Sequence, residues 1–128
     1  MAAGLLATRL PGCAIRSAGL DALVGMPADP LAREAMRRRG FEIEGHRATQ
    51  LDARLCTGAD IIIVMDGHQK RFIEGTYRAT RGKVFRLGEF QKCDIFDPYG
   101  GTAADFERCL ELIAAGVDLW VERMTATA

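Results

Sequence analysis

An acid and an aromatic residue, Asp97 and Tyr99, share the short segment Cys-Asp-Ile-Phe-Asp-Pro-Tyr-Gly-Gly at residues 93–101. The Asp-Pro pair and the two glycines predict a loop between a strand and the last helix. In open parallel sheets, ligands bind beyond the carboxyl ends of the strands, so an acid in this loop is well placed to act on a bound ligand. The local pattern also fits a simpler hypothesis, in which Asp97 turns or caps the chain and Tyr99 covers the core.

Cysteine and histidine could supply a nucleophile or a metal site. The cysteines are widely spaced without a Cys-x2-Cys pair, and neither His46 nor His68 completes a zinc-like cluster. The four cysteines are Cys13, Cys56, Cys93 and Cys109. We therefore expect reduced thiols, no metal and a cytoplasmic protein.

Length and charge restrict the class of protein. The 128 residues suit one domain with a single core, and the 17 basic and 17 acidic side chains cancel. No general attraction to nucleic acid or to an anionic membrane is expected, so any anion must be bound locally. Residues 1–6 have no basic flank and Arg9 interrupts their apolar run, so we expect a soluble protein with neither a signal peptide nor a membrane-spanning segment.

Strands and helices are predicted to alternate along the chain. Residues 61–65 are apolar, mostly β-branched and bounded by two aspartates, which is typical of a strand buried on both faces of a parallel sheet. Residues 13–17 and 83–87 are weaker strand candidates, and Cys13 is interpreted as a buried strand thiol. Helical patterns lie between the three, which predicts an α/β fold with layered helices.

Four helices are indicated by their ends and apolar spacing. Thr102 and Asp105 form a capping box before an apolar stripe of Phe106, Cys109, Leu110, Ile113, Val117, Trp120 and Met124. Asp29-Pro30 begins a helix that stops near Gly40, and Asp66 caps another that carries Phe72 and Ile73. Residues 1–10 are interpreted as the later part of a helix.

Four segments, taken in order, resemble the low-molecular-weight protein tyrosine phosphatases. They are Ile-Arg-Ser-Ala-Gly-Leu at 15–20, Gly-His-Arg-Ala at 45–48, Ile-Ile-Val-Met-Asp at 62–66 and Asp-Pro-Tyr at 97–99. The likeness covers essentially the whole chain, is most specific at Asp-Pro-Tyr, and is closest to the bacterial branch that acts on tyrosine kinases of exopolysaccharide and capsule systems.

The resemblance implies a three-layer α/β/α fold with a four-stranded parallel sheet, and phosphotyrosine hydrolysis through a cysteinyl-phosphate without a metal or other cofactor. It assigns Asp97 as the general acid, Tyr99 and Leu23 as the two walls of the phosphotyrosine slot, and His46 as a support of the phosphate-binding loop. From its surroundings in sequence alone, His46 could equally be a surface histidine. The implied partner is a phosphotyrosine protein, such as a bacterial tyrosine kinase; the oligomeric state is left open.

The family's nucleophile loop, Cys-x5-Arg followed by Ser-Pro, does not occur in residues 1–128. The sixth residues after the four cysteines are Gly19, Ile62, Tyr99 and Ala115, and Cys13-x2-Arg16 is too short to surround a phosphate. Residues 1–6 resemble the first helix after that loop, so residues 1–128 are predicted to be a single domain without the central first strand. We expect this chain to be inactive and unstable as a monomer.

The hypothesis that we favour is a protein tyrosine phosphatase whose recorded start lies past its nucleophile loop. Two alternatives to it remain. One is a non-catalytic remnant that binds a partner, for example through a gap that another strand could fill. The other is an arsenate reductase on the same fold, but Cys56, Cys93 and Cys109 lack the spacing of a cysteine relay and Asp-Pro-Tyr favours the phosphatase.

Overall fold

The structure, a computed structural model, describes residues 1–126. In chain order these residues form α1 (Ala2–Arg9), α2 (Pro30–Arg38), α3 (Ala53–Gly58), β1 (Ile62–Val64), α4 (Gly67–Thr76), a 3₁₀ turn (Arg78–Thr80), β2 (Val84–Arg86) and α5 (Ala103–Ala126). The two strands pair in parallel, and α4 with the 3₁₀ turn makes the crossover that parallel neighbours require. The described residues therefore form a small parallel sheet surrounded by helices, as the predicted α/β class requires.

The two strands form where β-branched residues suit a pleated, half-buried surface. Ile62 lies opposite Val84, and its N–H donates to the Lys83 carbonyl at 2.9 Å. At the other end, the Val64 carbonyl accepts a hydrogen bond of 2.7 Å from the Leu87 N–H. The predictions of strands within residues 61–65 and 83–87 are confirmed.

Helix α5 is built as its sequence predicts. The Thr102 hydroxyl accepts from the Asp105 N–H at 3.2 Å, and the Asp105 carboxylate accepts from the Thr102 N–H at 2.9 Å, which confirms the capping box. The stripe is buried from Phe106 to Trp120, and Met124 is partly buried against the same cluster. The Trp120 indole N–H donates to the carbonyls of Arg86 and Leu87 at 3.2 and 3.0 Å, so α5 is fastened to the carboxyl end of β2.

The predicted starts of α2 and α4 are also confirmed. The Asp29 carboxylate accepts from the Leu31 N–H at 2.8 Å, one residue after the N1 proline of α2. The Asp66 carboxylate accepts from the Gln69 N–H at 2.7 Å at the start of α4. Helix α2 ends before Gly40, whose φ of +85° lies in the left-handed region that glycine tolerates.

Two groups of buried apolar side chains lie on the two faces of the sheet. The larger group includes Leu5 of α1, Met36 of α2 and Leu110 of α5. The smaller group consists of Val64, Ile73 and Val84, with Leu20, Leu51, Ile62 and Tyr77 packed against it. Because α1, α2 and α5 cover one face and α4 the other, the layers are those predicted for an α/β/α arrangement.

The prediction of a strand at residues 13–17 is wrong, and so is the interpretation of Cys13 as a buried thiol. The segment is irregular, Cys13 is exposed, and no backbone hydrogen bond within the described residues involves residues 14–18. A strand exists only where a neighbour accepts its ladder bonds, and none of the described residues supplies one here. For the same reason β1 is less buried than predicted: Ile61 is 40% exposed and only Val64 of the strand is fully buried.

No helix in residues 1–126 is long and apolar enough to cross a membrane. In the same residues, no three histidine, cysteine, aspartate or glutamate side chains converge on a point where a metal ion could be held.

Candidate functional site

The loop that carries Asp97 begins with a fixed contact to β1. The Ile95 N–H donates to the Met65 carbonyl at 2.8 Å, and Ile95 itself is buried. The Gln69 side-chain oxygen accepts from the Met65 N–H at 2.8 Å, so both backbone groups of Met65 are bonded. Asp97 comes two residues after Ile95, so its loop is anchored at the carboxyl end of β1. This is the edge of a parallel sheet where ligands bind.

A second anchor of this loop is Asp94. Its carboxylate accepts from the Arg86 guanidinium at 3.0 Å and from the Gly67 N–H, the first residue of α4, at 3.1 Å. The hydrogen bond from Arg86, followed by that from Gly67, holds the pKa of Asp94 below its usual range, while partial desolvation opposes this. The loop is therefore tied to β2 and to α4 at once.

A third anchor lies directly beside Asp97. The buried Cys109 thiol of α5 donates to the Phe96 carbonyl at 3.3 Å. Burial raises the pKa of Cys109, and the negative charge of Asp97 raises it further, which means that the Asp97 carboxylate lies near the thiol. The backbone on the amino side of Asp97 is thus held by α5.

Asp97 and Tyr99 themselves face solvent. The Asp97 carboxylate accepts from the Tyr99 N–H at 3.0 Å, so the turn-forming role that the local pattern predicted for Asp97 is confirmed. Tyr99 is 77% exposed, and the hypothesis that it covers the core is wrong. Gly101 closes the turn by donating to the Pro98 carbonyl at 2.8 Å, and a Cβ at Gly101 would approach Asp105 Oδ2 to 2.6 Å.

Leu23 and His46 lie in two loops that are bonded to each other. The Gly25 N–H donates to the Ala48 carbonyl at 2.9 Å, and the Ala48 N–H donates to the Met26 carbonyl at 2.8 Å. Leu23 is 70% exposed on this support. His46 is also exposed, and its imidazole makes no hydrogen bond within residues 1–126.

The structure therefore places Asp97 and Tyr99 in one loop, and Leu23 and His46 in two loops whose backbones are bonded to each other. Among the described residues, no hydrogen bond or ion pair joins one loop pair to the other. Burial raises the pKa of both Cys56 and Cys109, whereas a nucleophilic cysteine needs a lowered pKa. The described residues thus present an exposed carboxylate at Asp97 and exposed side chains at Tyr99 and Leu23, and the two buried thiols are unsuited to attack.

Three positioning residues were missed by sequence reasoning: Arg86, Asp94 and Cys109. Asp94 lies 27 positions from Gly67, and Cys109 lies 13 positions from Phe96. Local spacing carries no signal for such contacts. The acid at Asp94, between a predicted strand and the Asp-Pro turn, was the one available hint.

The sequence matches the family described as low molecular weight phosphotyrosine protein phosphatase over residues 1–128. It is 50% identical to a probable low molecular weight protein-tyrosine-phosphatase, EpsP, of Ralstonia nicotianae, over 98% of this chain and 87% of that protein. It is 35% identical to the phosphatase Wzb of Escherichia coli K12, over 91% of this chain and 80% of that protein.

The fold is also similar to that of solved tyrosine phosphatase structures. The tyrosine phosphatase Wzb of Escherichia coli K30, in complex with sulphate, superposes with a TM-score of 0.93 at 29% identity, over 96% of this chain and 87% of that one. The layers described above are thus those of a known enzyme fold, and the chain belongs to the low molecular weight protein tyrosine phosphatase family.

Proposed function

We propose that this protein hydrolyses phosphotyrosine in proteins, with Asp97 as general acid and with a nucleophilic cysteine supplied by a Cys-x5-Arg segment outside residues 1–128. The observation that carries the proposal is the exposed Asp-Pro-Tyr loop at the carboxyl end of β1, which is held by the contacts of Asp94, Ile95 and Cys109. Acid–base catalysis requires a carboxyl group held in place yet open to substrate, and this loop provides both.

The proposed reaction has two steps. The thiolate attacks phosphorus, an S–P bond forms as the bond to the tyrosyl oxygen breaks, and Asp97 gives its proton to that leaving oxygen. Asp97 then takes a proton from water as the water oxygen attacks phosphorus, and the S–P bond breaks to release inorganic phosphate and the thiolate. The protein thereby returns to its starting protonation state.

The exposed apolar side chains suit an aromatic substrate. Tyr99 at 77% and Leu23 at 70% exposure are free to contact the two faces of a phosphotyrosine ring. Their loops are held by backbone hydrogen bonds, so little ordering would be needed on binding. We propose that His46 donates a hydrogen bond to the incoming phosphate-binding loop, which would satisfy an imidazole without a partner in residues 1–126.

The proposed substrate is a cytoplasmic phosphotyrosine protein, and a tyrosine kinase of polysaccharide export is the candidate that we favour. Support comes from the family and from its relatives EpsP and Wzb. Neither a metal nor another cofactor has a role in this chemistry.

The test compares two forms of the chain on p-nitrophenyl phosphate and on a phosphotyrosine peptide. One form is residues 1–128; the other is extended at its amino end by an apolar strand that continues into Cys-x5-Arg-Ser-Pro. We expect no turnover by the first form and turnover by the second. Asp97→Asn in the extended form should lower kcat about 10²–10⁴-fold, more on the peptide than on p-nitrophenyl phosphate, whose leaving group is more acidic.

The matched control is Asp60→Asn, which removes an exposed carboxylate at the amino end of β1, the opposite end from Asp97. Its kcat should stay close to that of the parent. Turnover by residues 1–128 that Asp97→Ala abolishes would refute the external nucleophile. An extended form without turnover would favour the alternative, a protein that binds a partner without catalysis.

A further inference from the structure

A short loop presents Leu23 to solvent, and both of its ends are bonded to one neighbouring segment of the chain. At the amino end, Gly19 pairs in parallel with Gln50. The Gly19 N–H donates to the carbonyl of the residue before Gln50 at 2.8 Å, and the Gly19 carbonyl accepts from the N–H of the residue after it at 2.9 Å. At the carboxyl end, the two hydrogen bonds of Ala48 described above close the loop. We call residues 20–26 the Leu23 loop.

The first part of the Leu23 loop, residues 20–22, is held by one side chain. The Gln50 side-chain oxygen accepts from the Ala22 N–H at 2.8 Å, and the Gln50 amide group donates to the Leu20 carbonyl at 2.8 Å. No backbone–backbone hydrogen bond within residues 1–126 involves residues 20–22. Among the described residues, the hydrogen bonds that position the backbone before Leu23 thus all come from Gln50.

Glutamine suits this task because its planar amide carries an acceptor oxygen and two donor N–H groups. Gln50 uses both functions, and its amide group also donates to the Leu51 carbonyl at 3.4 Å. A carboxylate in its place could accept from Ala22 but could not donate to Leu20, and an apolar side chain could do neither. The pairing of Gln50 with Gly19 fixes the backbone from which this side chain reaches the loop.

The two sides of the Leu23 loop differ in burial. Leu20 packs against the smaller apolar group, and Ala22 is half-buried. The chain then turns outward: Leu23 is 70% and Val24 69% exposed. The Met26 N–H donates to the Leu23 carbonyl at 3.1 Å and closes this turn. An exposed apolar side chain on a loop held in this way needs little further ordering when a ligand binds.

We propose that Gln50 is a positioning residue for substrate binding, whose amide holds the Leu23 loop so that Leu23 contacts the ring of an aryl phosphate. This inference rests on the proposed function, because it takes Leu23 as one wall of the phosphotyrosine slot. Gln50 acts through Leu23 and not on the reacting atoms. Its loss should therefore weaken binding of the ring and leave the chemical step nearly unchanged.

The test measures KM and kcat for a phosphotyrosine peptide with the extended form of the chain described above. Gln50→Met keeps the length of the side chain without its amide, so the loop must be ordered when the ring binds. We expect a KM raised about three- to tenfold, with kcat within about twofold of the parent. Gln50→Glu keeps the hydrogen bond from Ala22 and should raise KM less. The inhibition constant of inorganic phosphate, which has no ring, should change less than about twofold.

A double-mutant cycle shows whether Gln50 acts through Leu23. Leu23→Ala alone should raise KM because the wall itself is removed. In that background, Gln50→Met should raise KM by less than about a further twofold, since two changes that act through one contact are not additive. Additive rises would show that Gln50 acts elsewhere and would refute the proposal.

The matched control is Gln91→Met, which changes an exposed glutamine whose side chain makes no hydrogen bond within residues 1–126. Its KM should stay within about twofold of the parent, as expected for a surface substitution. Fluorescence of Trp120, packed between Phe85 and Phe90, reports that each variant keeps the contact of α5 with β2. If Gln50→Met does not fold, the KM of Gln50→Glu against that of the parent decides.

Amide hydrogen exchange checks the geometry in the same variants. Exchange at Ala22 should accelerate in Gln50→Met and less in Gln50→Glu, because only the first removes the acceptor of the Ala22 N–H. Exchange at Gly25, which bonds to a backbone carbonyl, should stay close to that of the parent. Unchanged exchange at Ala22 in Gln50→Met would contradict the hold of Gln50 on the loop.

Turnover by the extended parent separates this inference from the proposed function. No turnover contradicts the proposed function, and the role of Gln50 in substrate binding falls with it. Turnover by the parent with an unchanged KM in Gln50→Met supports the function and refutes only the role of Gln50. A fall of kcat and kcat/KM by the same factor in Gln50→Met also refutes that role, because it would place the effect on the chemical step.

Discussion

The two outer sides of the small sheet differ in how their backbone groups are satisfied. On the β2 side, the Trp120 indole bonds to the carbonyls of Arg86 and Leu87, and Gly116 lets α5 approach so closely that a Cβ there would lie 2.9 Å from Leu87 Cγ. On the β1 side, the backbone groups of Ile61 and Ile63 point away from β2 toward no described partner. The comparison shows that β1 is a strand because β2 supplies a partner on one of its edges, whereas residues 14–18 have no partner in residues 1–126 and are irregular.

The contrast also separates two kinds of site residue. Asp97 and Tyr99 sit on a loop tied to β1, β2, α4 and α5, so their position follows from the well-packed side of the molecule. His46 faces solvent without a side-chain partner in residues 1–126. The roles proposed for Asp97 and Tyr99 thus rest on a loop that the described residues hold in place, whereas the role proposed for His46 depends on a loop that residues 1–126 do not contain.

The largest expected effect on the free energy of unfolding is in α5, the helix that packs on the β2 side of the sheet. Leu110→Ala removes a fully buried side chain of α5 and should lower the free energy of unfolding by about 2–5 kcal/mol. Ile15→Ala, in the unpaired segment, should cost less than about 1 kcal/mol because Ile15 is only half-buried there. Urea denaturation followed by Trp120 fluorescence measures both. Equal losses of unfolding free energy in Leu110→Ala and Ile15→Ala would contradict the difference between the two sides of the sheet.

A smaller effect is expected from removing single hydroxyl groups. Thr102→Ala deletes the cap of α5 and should cost about 1 kcal/mol, with a range of about 0.5–2 kcal/mol. Ser17→Ala removes an exposed hydroxyl from the unpaired segment and should change stability by less than about 0.5 kcal/mol. The same urea experiment applies. A loss at Ser17 as large as that at Thr102 would show that residues 14–18 are structured by contacts absent here.

The sequence predicted those parts of the fold that depend on neighbouring residues. Caps such as Asp29, Asp66 and Thr102 act within one helical turn, and the stripe of α5 repeats with the helical period, so both are visible in local spacing. The strand predicted at residues 13–17 had a weaker local signal than β1, with one β-branched residue against four in residues 61–65. It failed because a ladder of hydrogen bonds is a property of two segments, and local composition reports only one.

The candidate site shows the same limit. Local pattern correctly predicted that Asp97 turns the chain, and wrongly placed Tyr99 against the core, because exposure depends on what packs around the loop. The contacts that hold the loop, Arg86 with Asp94 and Cys109 with Phe96, join positions brought close only by folding. The roles proposed for Asp97, Tyr99, Leu23 and His46 came from family resemblance, not from spacing.

The smallest expected effect is the pH dependence of the Asp94 anchor. The hydrogen bond from Arg86 lowers the pKa of Asp94 below 3.8 in the folded chain. The carboxylate therefore stabilises the fold above the pKa of the unfolded state, and this contribution is lost as the pH falls through the lower, folded pKa. Asp94→Asn should melt slightly below the parent at neutral pH, and the difference should disappear in strong acid.

Thermal melts across this pH range measure the difference, with Asp60→Asn as the control for removing one negative charge. The effect must be small because Asp94 is exposed and solvent screens its pair with Arg86. A difference that grew toward acid pH would have the wrong sign for a carboxylate with a lowered pKa. Both hydrogen bonds of Asp94, from Arg86 and from Gly67, lower the pKa of its carboxyl group, so such a result would refute Asp94 as a charged anchor of the loop that carries Asp97.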